Sequence, residues 1–201
     1  MHPNKSFAWN DRDDMLEFVS HRAFAHIFVT ARDSGAVLHA PILVIDGKVQ
    51  FHAFRNNRAA RLFPGAKILA SITALDGYHS ANWYASSNQV PTWHYQAVEI
   101  EGTARALSET ELIEHLDRLS AVMEGRFSPK APWTRAKMEP GKFESIIKAL
   151  VGFEVAPDEV RGTLKFNQHK SAADIEANIR GQTAAGRADV AAAIAQHWPG
   201  K

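Results

Sequence analysis

Cysteine is absent from the 201-residue sequence, which excludes disulfide bonds, cysteine nucleophiles and cysteine-ligated metal sites. Its absence suits a reducing compartment, and we expect a cytoplasmic protein. An excess of charge of either sign is also missing, since 23 basic and 22 acidic residues leave a formal net charge of +1. Such a balance gives no overall field that would draw the chain onto nucleic acid or an anionic membrane. Long apolar runs are lacking too, and the polar start MHPNKSFAWNDRDD has no signal-peptide core, so we expect no membrane association.

Several catalytic and nucleotide-binding motifs are missing as well. The sequence has no Gly-x-Ser-x-Gly elbow, no Walker loop and no Gly-x-Gly-x-x-Gly turn, so serine-hydrolase, P-loop and Rossmann sites gain no support. Ten histidines are present, but none forms His-x-His or His-Glu-x-x-His, and we expect no dedicated metal site. These patterns assign no catalytic residue.

What the sequence does contain is a series of short β-strand patterns after an amphipathic helix predicted at 11–21. Strands are predicted at 23–31, 36–45 and 48–54, separated by a turn at 32–35 and by the tight hairpin signal Asp46-Gly47. Pro41 within the second of these strands indicates an edge or a bulge, because proline cannot donate to the ladder.

The rest of the chain mixes further strands with helices. Residues 55–63 are predicted as a loop leading into a short helix that Pro64-Gly65 ends. The later predicted elements are strands at 66–75 and 97–107, a helix at 108–123 with Ser108 and Glu111 as its capping box, a loop at 125–142, a helix turning into a strand at 143–155, and two alanine-rich helices near 171–180 and 187–197. Hairpin connections favour an antiparallel barrel or strongly curved sheet with helices at its ends, in one domain.

One polar turn has the chemistry of an anion site. Arg55, Asn56 and Asn57 follow the third predicted strand and lead into a predicted helix that carries Arg58 and Arg61. Backbone N–H groups at a helix start, an arginine fork and amide side chains suit a phosphate oxyanion. From spacing alone, a solvated helix cap with surface arginines explains the same residues equally well.

Two further elements concentrate aromatic and polar side chains. The segment SANWYASSNQVPTWHY, residues 80–95, holds two Trp-Tyr clusters, whose polar atoms need partners when the rings are buried. The segment is explained equally well as the wall of a site and as core or dimer contact. A predicted strand-to-helix transition is crowded with the polar side chains of Lys165, Asn167, Gln168, His169 and Lys170, and Ser171 can cap the following helix. On chemistry alone this second element is better explained as a capped surface turn.

Four segments resemble the motifs of one protein family in the same order along the chain. They are HAPILVI at 39–45, HAFRNN at 52–57, SANWY with VPTWHY at 80–95, and GTLKFNQHKSAADIEANIRG at 162–181. The sequence is similar in these segments to the PaiB-type FMN-binding proteins, a branch of the FMN-binding split-barrel superfamily. It departs from the family at Ala81, where proline is usual, at His94, where asparagine is usual, and at FNQHK, which replaces LSQNR.

The resemblance implies a mainly β protein, a six-stranded antiparallel Greek-key split barrel that forms one domain over 1–201 with a C-terminal helical extension at about 171–198. It also implies a homodimer with FMN in a groove at the subunit interface. The phosphate would be held by Arg55, Asn56 and Asn57, with Lys165 or Gln168 as helper. The wall of the flavin ring is expected to consist of Trp83, Tyr84, Thr92 and Trp93, and Asn167 is a further expected contact. His39 and His52 are also expected to contact the cofactor, although a structural role explains either histidine equally well.

Three functions are compatible with this resemblance. The first is a flavin-dependent oxidoreductase or flavin-linked regulator that exchanges electrons with a small molecule. The second is a transcriptional regulator without turnover, as the family is commonly labelled, although direct nucleic-acid binding is disfavoured because the final helix ADVAAAIAQHW has no Lys or Arg. The third is haem binding or haem utilisation, which related split barrels carry out and which the ten histidines motivate.

Overall fold

The computed structural model describes residues 2–31, 34–127 and 131–200. Its strands are β1 (Ala8–Trp9), β2 (Phe24–Ala31), β3 (Ser34–Ile45), β4 (Lys48–Phe54), β5 (Lys67–His79), β6 (Thr92–Ala106) and β7 (Leu150–Lys165). Its helices are α1 (Arg12–Arg22), α2 (Glu109–Glu124), α3 (Lys142–Ile147), α4 (Ala172–Ala184) and α5 (Ala188–His197). Within the described ranges, none of the helices combines the length and apolar character that a bilayer crossing requires.

The strands form one sheet in the order β1-β7-β4-β3-β2-β5-β6, and β6 also pairs with β7. The six strands from β2 to β7 therefore follow one another in a cycle, while the two-residue β1 adds to β7. The pairs β1–β7, β2–β3, β2–β5, β3–β4 and β4–β7 are antiparallel. The predicted six-stranded antiparallel arrangement is confirmed, with β1 as a seventh strand.

The β3–β4 hairpin forms where the sequence predicts it. Asp46 and Gly47 both have positive φ, 49° and 73°, as a two-residue hairpin turn with the right twist requires. Pro41 lies where β3 stops pairing with β2 and, from Ile42 onward, pairs with β4. A proline is therefore tolerated in a strand that has neighbours on both sides. The turn predicted at 32–35 includes Arg32 and Asp33, which lie outside the described residues.

Some predicted elements differ from the structure. The short helix expected within 55–63 is wrong: these residues form successive turns, in which Asn57 Oδ1 accepts the Ala59 N–H at 2.8 Å. The strand expected at 97–107 begins at Thr92 and includes the second aromatic cluster. The strand expected to end at 155 continues to Lys165 despite Pro157 and Gly162, since its far end pairs with β1.

The chain contains two compact units, and the second of them comprises Leu16–Ile72 and Glu99–Val160. Its core is built on three fully buried rings, Phe51, Phe63 and Phe153, whose centroids lie 5.1 to 5.3 Å apart. The capping box predicted at Ser108 and Glu111 is present and starts α2, which packs Leu112 against this unit's smaller apolar cluster.

The first unit comprises residues 2–15, 73–98 and 161–200. Its core joins Phe166, at the turn after β7, to Ile175 of α4 and to Val190 and Ile194 of α5. The two helices expected near the C-terminus are thus present, and α4 runs on to Ala184, beyond the expected end near residue 180. The expectation of a single domain over 1–201 stays a prediction.

Candidate functional site

A polar pocket of about 220 Å³ opens in the first unit, where the closing motif after β7 meets the aromatic segment. We call it the lysine pocket and define it by Tyr84, Thr92, Lys165, Asn167, His169 and Lys170. The loop after β5 and the start of β6 form one side of the pocket, and the end of β7 with the turn before α4 forms the other side. Residues 80 or more positions apart in sequence therefore share one site.

Both lysines of the pocket are oriented by neighbouring side chains. Lys165 Nζ donates to Thr92 Oγ1 at 2.9 Å, and burial lowers the pKa of Lys165. Lys170 Nζ donates to Gln89 Oε1 at 2.7 Å and lies 5.3 Å from the centroid of the Tyr84 ring. Among the described residues, neither ammonium forms an ion pair with a carboxylate, so both remain available to an anionic ligand.

Asn167 fixes the turn that brings the two lysines together. Its φ of 62° lies in the left-handed region, which asparagine tolerates better than most residues. Its side-chain Nδ2 donates to the Tyr84 hydroxyl at 2.8 Å. Gln168, by contrast, braces the turn itself, since its amide accepts from the Phe166 N–H and donates to the Leu164 carbonyl at 2.6 Å. Gln168 therefore stabilises the turn and does not line the pocket.

Asp174 anchors the aromatic segment to the start of α4. It accepts the backbone N–H and the hydroxyl of Ser86, each at 2.9 Å, and the hydroxyl of the helix cap Ser171 at 3.0 Å. Burial raises the pKa of Asp174, but these hydrogen bonds outweigh it, and the net pKa is lowered. The carboxylate is thus ionised and holds the loop between the two aromatic clusters against the helix.

The predicted ring-wall residues do not all line the lysine pocket, and their contact with the flavin ring stays a prediction. Tyr84 and Thr92 line the lysine pocket, but Trp83 packs against α4, where a Cβ on Gly181 would lie 2.5 Å from its Cγ. Trp93 is 49% exposed, and its indole Nε1 donates to Asp76 Oδ2 at 3.0 Å. Since alternate residues of β6 point to opposite faces, Trp93 lies on the face opposite to Thr92.

A buried polar cluster lies beside the pocket. His79 and His94 are fully buried, and their ring centroids are 4.9 Å apart. Burial lowers the pKa of each to about 4, so both imidazoles are neutral at pH 7. The ring of His79 also meets the ring of Tyr84 edge to face at 4.7 Å.

The remaining predicted contacts belong to the second unit. His39 is the cross-strand partner of His26, with their Nδ1 atoms 2.6 Å apart. His52 Nδ1 lies 3.1 Å from Nε2 of the buried His115, and burial lowers the pKa of both rings. Because each predicted ring faces another imidazole within the protein, the contacts favour structural roles for His39 and His52.

Arg55 is also in the second unit, and its guanidinium has backbone partners. Its Nη2 donates to the Leu150 carbonyl at 2.8 Å, and its Nε donates to the Lys148 carbonyl at 3.4 Å. Asn56 is exposed, and Asn57 caps the adjacent turn. The structure therefore gives Arg55 a role in fixing β4 to the start of β7, and phosphate binding by these residues stays a prediction.

Sequence reasoning did not assign every residue that lines the pocket to the site. His169 and Lys170 line it and belong to the polar turn that the sequence shows, but they were not predicted as cofactor contacts, because the signal there was ambiguous between a cap and a site. The α4 residues Asp174, Asn178 and Gln182 recur every four positions and are all buried. That polar stripe at helical spacing is the signal that could have revealed a polar core. Within the described part of the chain, no group of three or more His, Asp or Glu side chains could hold a metal ion.

Comparison with known proteins places the chain in a family. Residues 1–159 match the family model described as "Putative FMN-binding domain". The "Protease synthase and sporulation protein PAI 2" of Bacillus subtilis (strain 168) is 27% identical over 180 residues, which cover 87% of this chain and 85% of the relative. The end of β7, the lysines of the pocket and both C-terminal helices lie beyond the residues that the family model matches.

Solved structures share the fold at low sequence identity. The flavocytochrome Anf3 of Azotobacter vinelandii superposes with a TM-score of 0.63 at 15% identity, covering 82% of this chain and 72% of that one. The FAD and haem binding protein of Mycobacterium smegmatis superposes with a TM-score of 0.59 at 17% identity, covering 79% and 73%. The fold, the four motifs and the family match agree: the chain belongs to the PaiB-type FMN-binding family, whose cofactor is FMN.

Proposed function

We propose that this protein is an FMN flavoprotein that exchanges electrons with a small-molecule partner, and that the lysine pocket holds the phosphate of FMN. The observation that carries the proposal is the pair of ammonium groups, Lys165 and Lys170, directed by neutral side chains into one pocket. When bound, FMN supplies the hydride and electron chemistry that the side chains of this protein lack.

The donor set fits an anion of phosphate size. Two ammonium groups and the Asn167 amide supply donors, and the Thr92 hydroxyl keeps Lys165 directed into the pocket. Because burial already disfavours the charged form of Lys165, a phosphate beside it would restore that charge and gain a strong hydrogen bond. A volume of about 220 Å³ accommodates the phosphate end of FMN and leaves the flavin ring to be held elsewhere.

The test compares FMN with riboflavin, which has the same ring system and no phosphate. Wild-type protein is titrated with each flavin and followed by flavin absorbance and fluorescence. We expect Lys165→Met and Lys170→Met each to raise the Kd for FMN by about 10- to 100-fold, the loss of one charge-assisted hydrogen bond, with little change for riboflavin.

Two control variants make the outcome decisive. Lys142→Met removes the same charge from an exposed site on α3 and is expected to leave both affinities unchanged. Arg55→Met tests the rival phosphate site predicted from the sequence. If Arg55→Met alone removes the preference for FMN over riboflavin, the phosphate lies at the Arg55 turn and the placement in the lysine pocket is wrong.

A homodimer is part of the proposal. Phe28 of β2 and Val37 of β3 are cross-strand partners, and with Phe24 they form an apolar face of the second unit that is 40 to 43% exposed. Contiguous exposed apolar side chains of this kind are typical of subunit contacts. We expect a cytoplasmic protein that is a dimer in solution. Its mass by light scattering is expected to fall to that of one chain in Phe28→Glu. In Phe54→Glu, a matched control on β4, the mass is expected to stay that of the dimer. A monomeric wild-type protein would refute the dimer.

Regulation is compatible with this function. The Bacillus subtilis relative is named for protease synthesis and sporulation, which favours a regulatory output of the flavin state. Direct contact with DNA gains no support from α5, because Val190, Ala191, Ala193 and Ile194 are buried. A salt-dependent gel shift at nanomolar protein concentration would establish direct DNA binding and displace this view.

Haem binding is a second candidate, which one observation favours. The face that carries Phe24 and Phe28 also carries the paired His26 and His39, so a porphyrin that took the place of the subunit contact could cover this face with an imidazole beside it. Both structural neighbours described above are named as haem-binding or cytochrome proteins. A Soret band on titration with haemin that disappears in His39→Ala supports this candidate. An unchanged haemin spectrum with wild-type protein eliminates it.

A further inference from the structure

Two histidines line the lysine pocket in addition to its two lysines. His2 lies in the segment before β1, and His169 lies in the turn after β7. These distant parts of the chain meet because β1 pairs with β7, where Ala8 is opposite Thr163. The backbone N–H of His2 also donates to Thr163 Oγ1 at 3.5 Å. The segment before β1 therefore forms a further wall of the pocket.

A buried phenylalanine positions both imidazole rings. Phe7 is only 3% exposed, and its ring meets His2 edge to face at a centroid distance of 4.8 Å. The same ring meets His169 edge to face at 5.3 Å. Packing on Phe7 thus explains where the two imidazoles lie. It does not provide the polar partner that their ring nitrogens require.

The ring nitrogens of the two histidines differ in their contacts. His2 Nδ1 accepts the backbone N–H of Asn4 at 3.1 Å, so the proton of the neutral ring is on Nε2, which can donate. His169 is exposed, and no side chain or backbone group of the described residues hydrogen-bonds to its ring. His2 is therefore fixed as a neutral donor, whereas His169 is free to change its protonation state.

The lysines act on both imidazoles. Burial lowers the pKa of His169, and the charges of Lys170 and Lys165 lower it further. Burial and the charge of Lys165 also lower the pKa of His2. The positive charge of the pocket thus keeps His169 neutral at pH 7 as long as no anion is bound.

The pocket does not balance this positive charge from within. Among the described residues that line it, none is acidic. Asp174, at the start of α4, directs its carboxylate to Ser86 and Ser171 instead. Tyr84 presents a neutral hydroxyl, because burial raises its pKa. A phosphate group, with a charge of about −1.5 to −2 at pH 7, would supply the missing balance.

We propose that His2 and His169 are further phosphate ligands of the lysine pocket, and that His169 binds the anion as imidazolium, so that binding takes up a proton. His2 donates its Nε2–H without a change of charge. This inference rests on the phosphate site proposed above and adds a pH-dependent ligand to it. Hydrogen bonds from charged donors to phosphate are stronger than those from neutral donors, so protonation of His169 strengthens binding.

Proton uptake fixes the sign of the pH dependence. Without an anion, the pKa of His169 lies below its ordinary value of 6.5. A phosphate beside the ring favours the charged form and raises this pKa. Between the two pKa values the complex holds a proton that the free protein lacks, so affinity falls as the pH rises. From pH 6.5 to pH 8 we expect the affinity for FMN to fall about 3- to 10-fold.

The first test measures the Kd values of FMN and riboflavin at pH 6.5, 7 and 8 by flavin fluorescence. Over this range the phosphate of FMN is mostly dianionic, since its second pKa is about 6. We expect the preference for FMN over riboflavin to decrease about 3- to 10-fold in the wild type between pH 6.5 and pH 8. His169→Phe keeps a ring against Phe7 and removes both nitrogens, so this decrease is expected to disappear.

A matched control and a second variant complete this test. His21→Phe changes an exposed histidine on α1 and is expected to keep the pH dependence of the wild type. His2→Phe removes a neutral donor and is expected to raise the Kd for FMN about 2- to 10-fold, by the same factor at every pH. Equal pH dependence in the wild type and in His169→Phe would overturn the inference. An unchanged Kd in His2→Phe would remove His2 from the site.

Nuclear magnetic resonance titration of the histidines with inorganic phosphate gives a second test that needs no flavin. We expect the pKa of His169 to rise when phosphate is added and His2 to keep the proton on Nε2; an unchanged pKa of His169 would overturn the inference. An FMN preference that depends on Lys165 but not on pH would overturn the inference and leave the proposed function standing. A wild type without a preference for FMN would refute the proposed phosphate site, and the titration with inorganic phosphate would still decide the role of His169.

Discussion

Mild acid is predicted to destabilise this protein, because three of its histidines are buried in the neutral form. His79, His94 and His115 are each 0% exposed. Burial lowers the pKa of each from 6.5 to about 4. In the unfolded chain the same side chains regain the ordinary value and take up protons more readily. Their stabilising contribution is therefore fully present above pH 6.5 and is lost as the pH falls towards 4.

The magnitude follows from the size of the shift. A histidine with a folded pKa of about 4 and an unfolded pKa of 6.5 costs roughly 2 kcal/mol of stability at pH 5 relative to pH 8. Three such groups together cost about 6 kcal/mol, and the cost rises to roughly 3 kcal/mol each once the pH falls below 4. Domains of this size have free energies of unfolding of about 5–15 kcal/mol, so the loss at pH 5 is a large fraction of the total.

The assay is urea unfolding followed by far-ultraviolet circular dichroism at a series of pH values from 8 to 5. We expect the midpoint to fall steadily below pH 6.5, with most of the change before the acidic side chains titrate. A His115→Phe variant removes one of the three groups and is expected to show about two thirds of the wild-type pH dependence. Equal stability at pH 8 and pH 5 would show that the three histidines are not held neutral by burial.

Three further predictions concern packing and capping. Gly181→Ala gains up to about 1 kcal/mol of helix propensity. It also places a Cβ 2.5 Å from Trp83 Cγ. We therefore expect a net loss of about 1–3 kcal/mol in urea unfolding and a shifted tryptophan emission, whereas a gain in stability would contradict the close packing. Asp174→Asn weakens the hydrogen bonds to Ser86 and is expected to lower the free energy of unfolding by about 1–3 kcal/mol. An equal decrease in the exposed control Asp189→Asn would show a general effect of removing a charge. Ser108→Ala removes the α2 cap and is expected to cost about 1 kcal/mol in the same assay; an unchanged midpoint would show that the cap is dispensable.

The fold could be predicted where the signals are local. The Asp46-Gly47 turn and the Ser108 capping box both depend on residues within a few positions of each other. The length of β7 could not be predicted, because Pro157 and Gly162 interrupt its pattern and its far end is held by pairing with β1. The helix expected before Pro64-Gly65 does not form. The segment is short, and its turns are held by tertiary contacts such as the hydrogen bond from the Gly65 N–H to the Ala104 carbonyl.

The candidate site could be predicted only in part. The structure brings Lys165 and Asn167, two polar residues of the predicted strand-to-helix turn, into one pocket with Tyr84, and their contact with the cofactor stays a prediction. The separation of Trp83 from Trp93 could not be predicted, because it depends on β6 beginning at Thr92.

Arg55 illustrates the other limit of sequence reasoning. Its carbonyl partners, at Lys148 and Leu150, lie more than 90 positions further along the chain. A local pattern that suits an anion can therefore serve the fold, and only tertiary contacts distinguish the two roles.

Recognition of the FMN phosphate by the lysine pocket can be measured as the ratio of the Kd values for riboflavin and FMN, obtained by flavin fluorescence titration of the wild type and of Lys165→Met. We predict saturable FMN binding with a clear preference over riboflavin in the wild type, and a preference reduced about 10- to 100-fold in the variant. No flavin binding by the wild type would rule out an FMN flavoprotein, and an unchanged ratio in Lys165→Met would rule out the lysine pocket as the phosphate site.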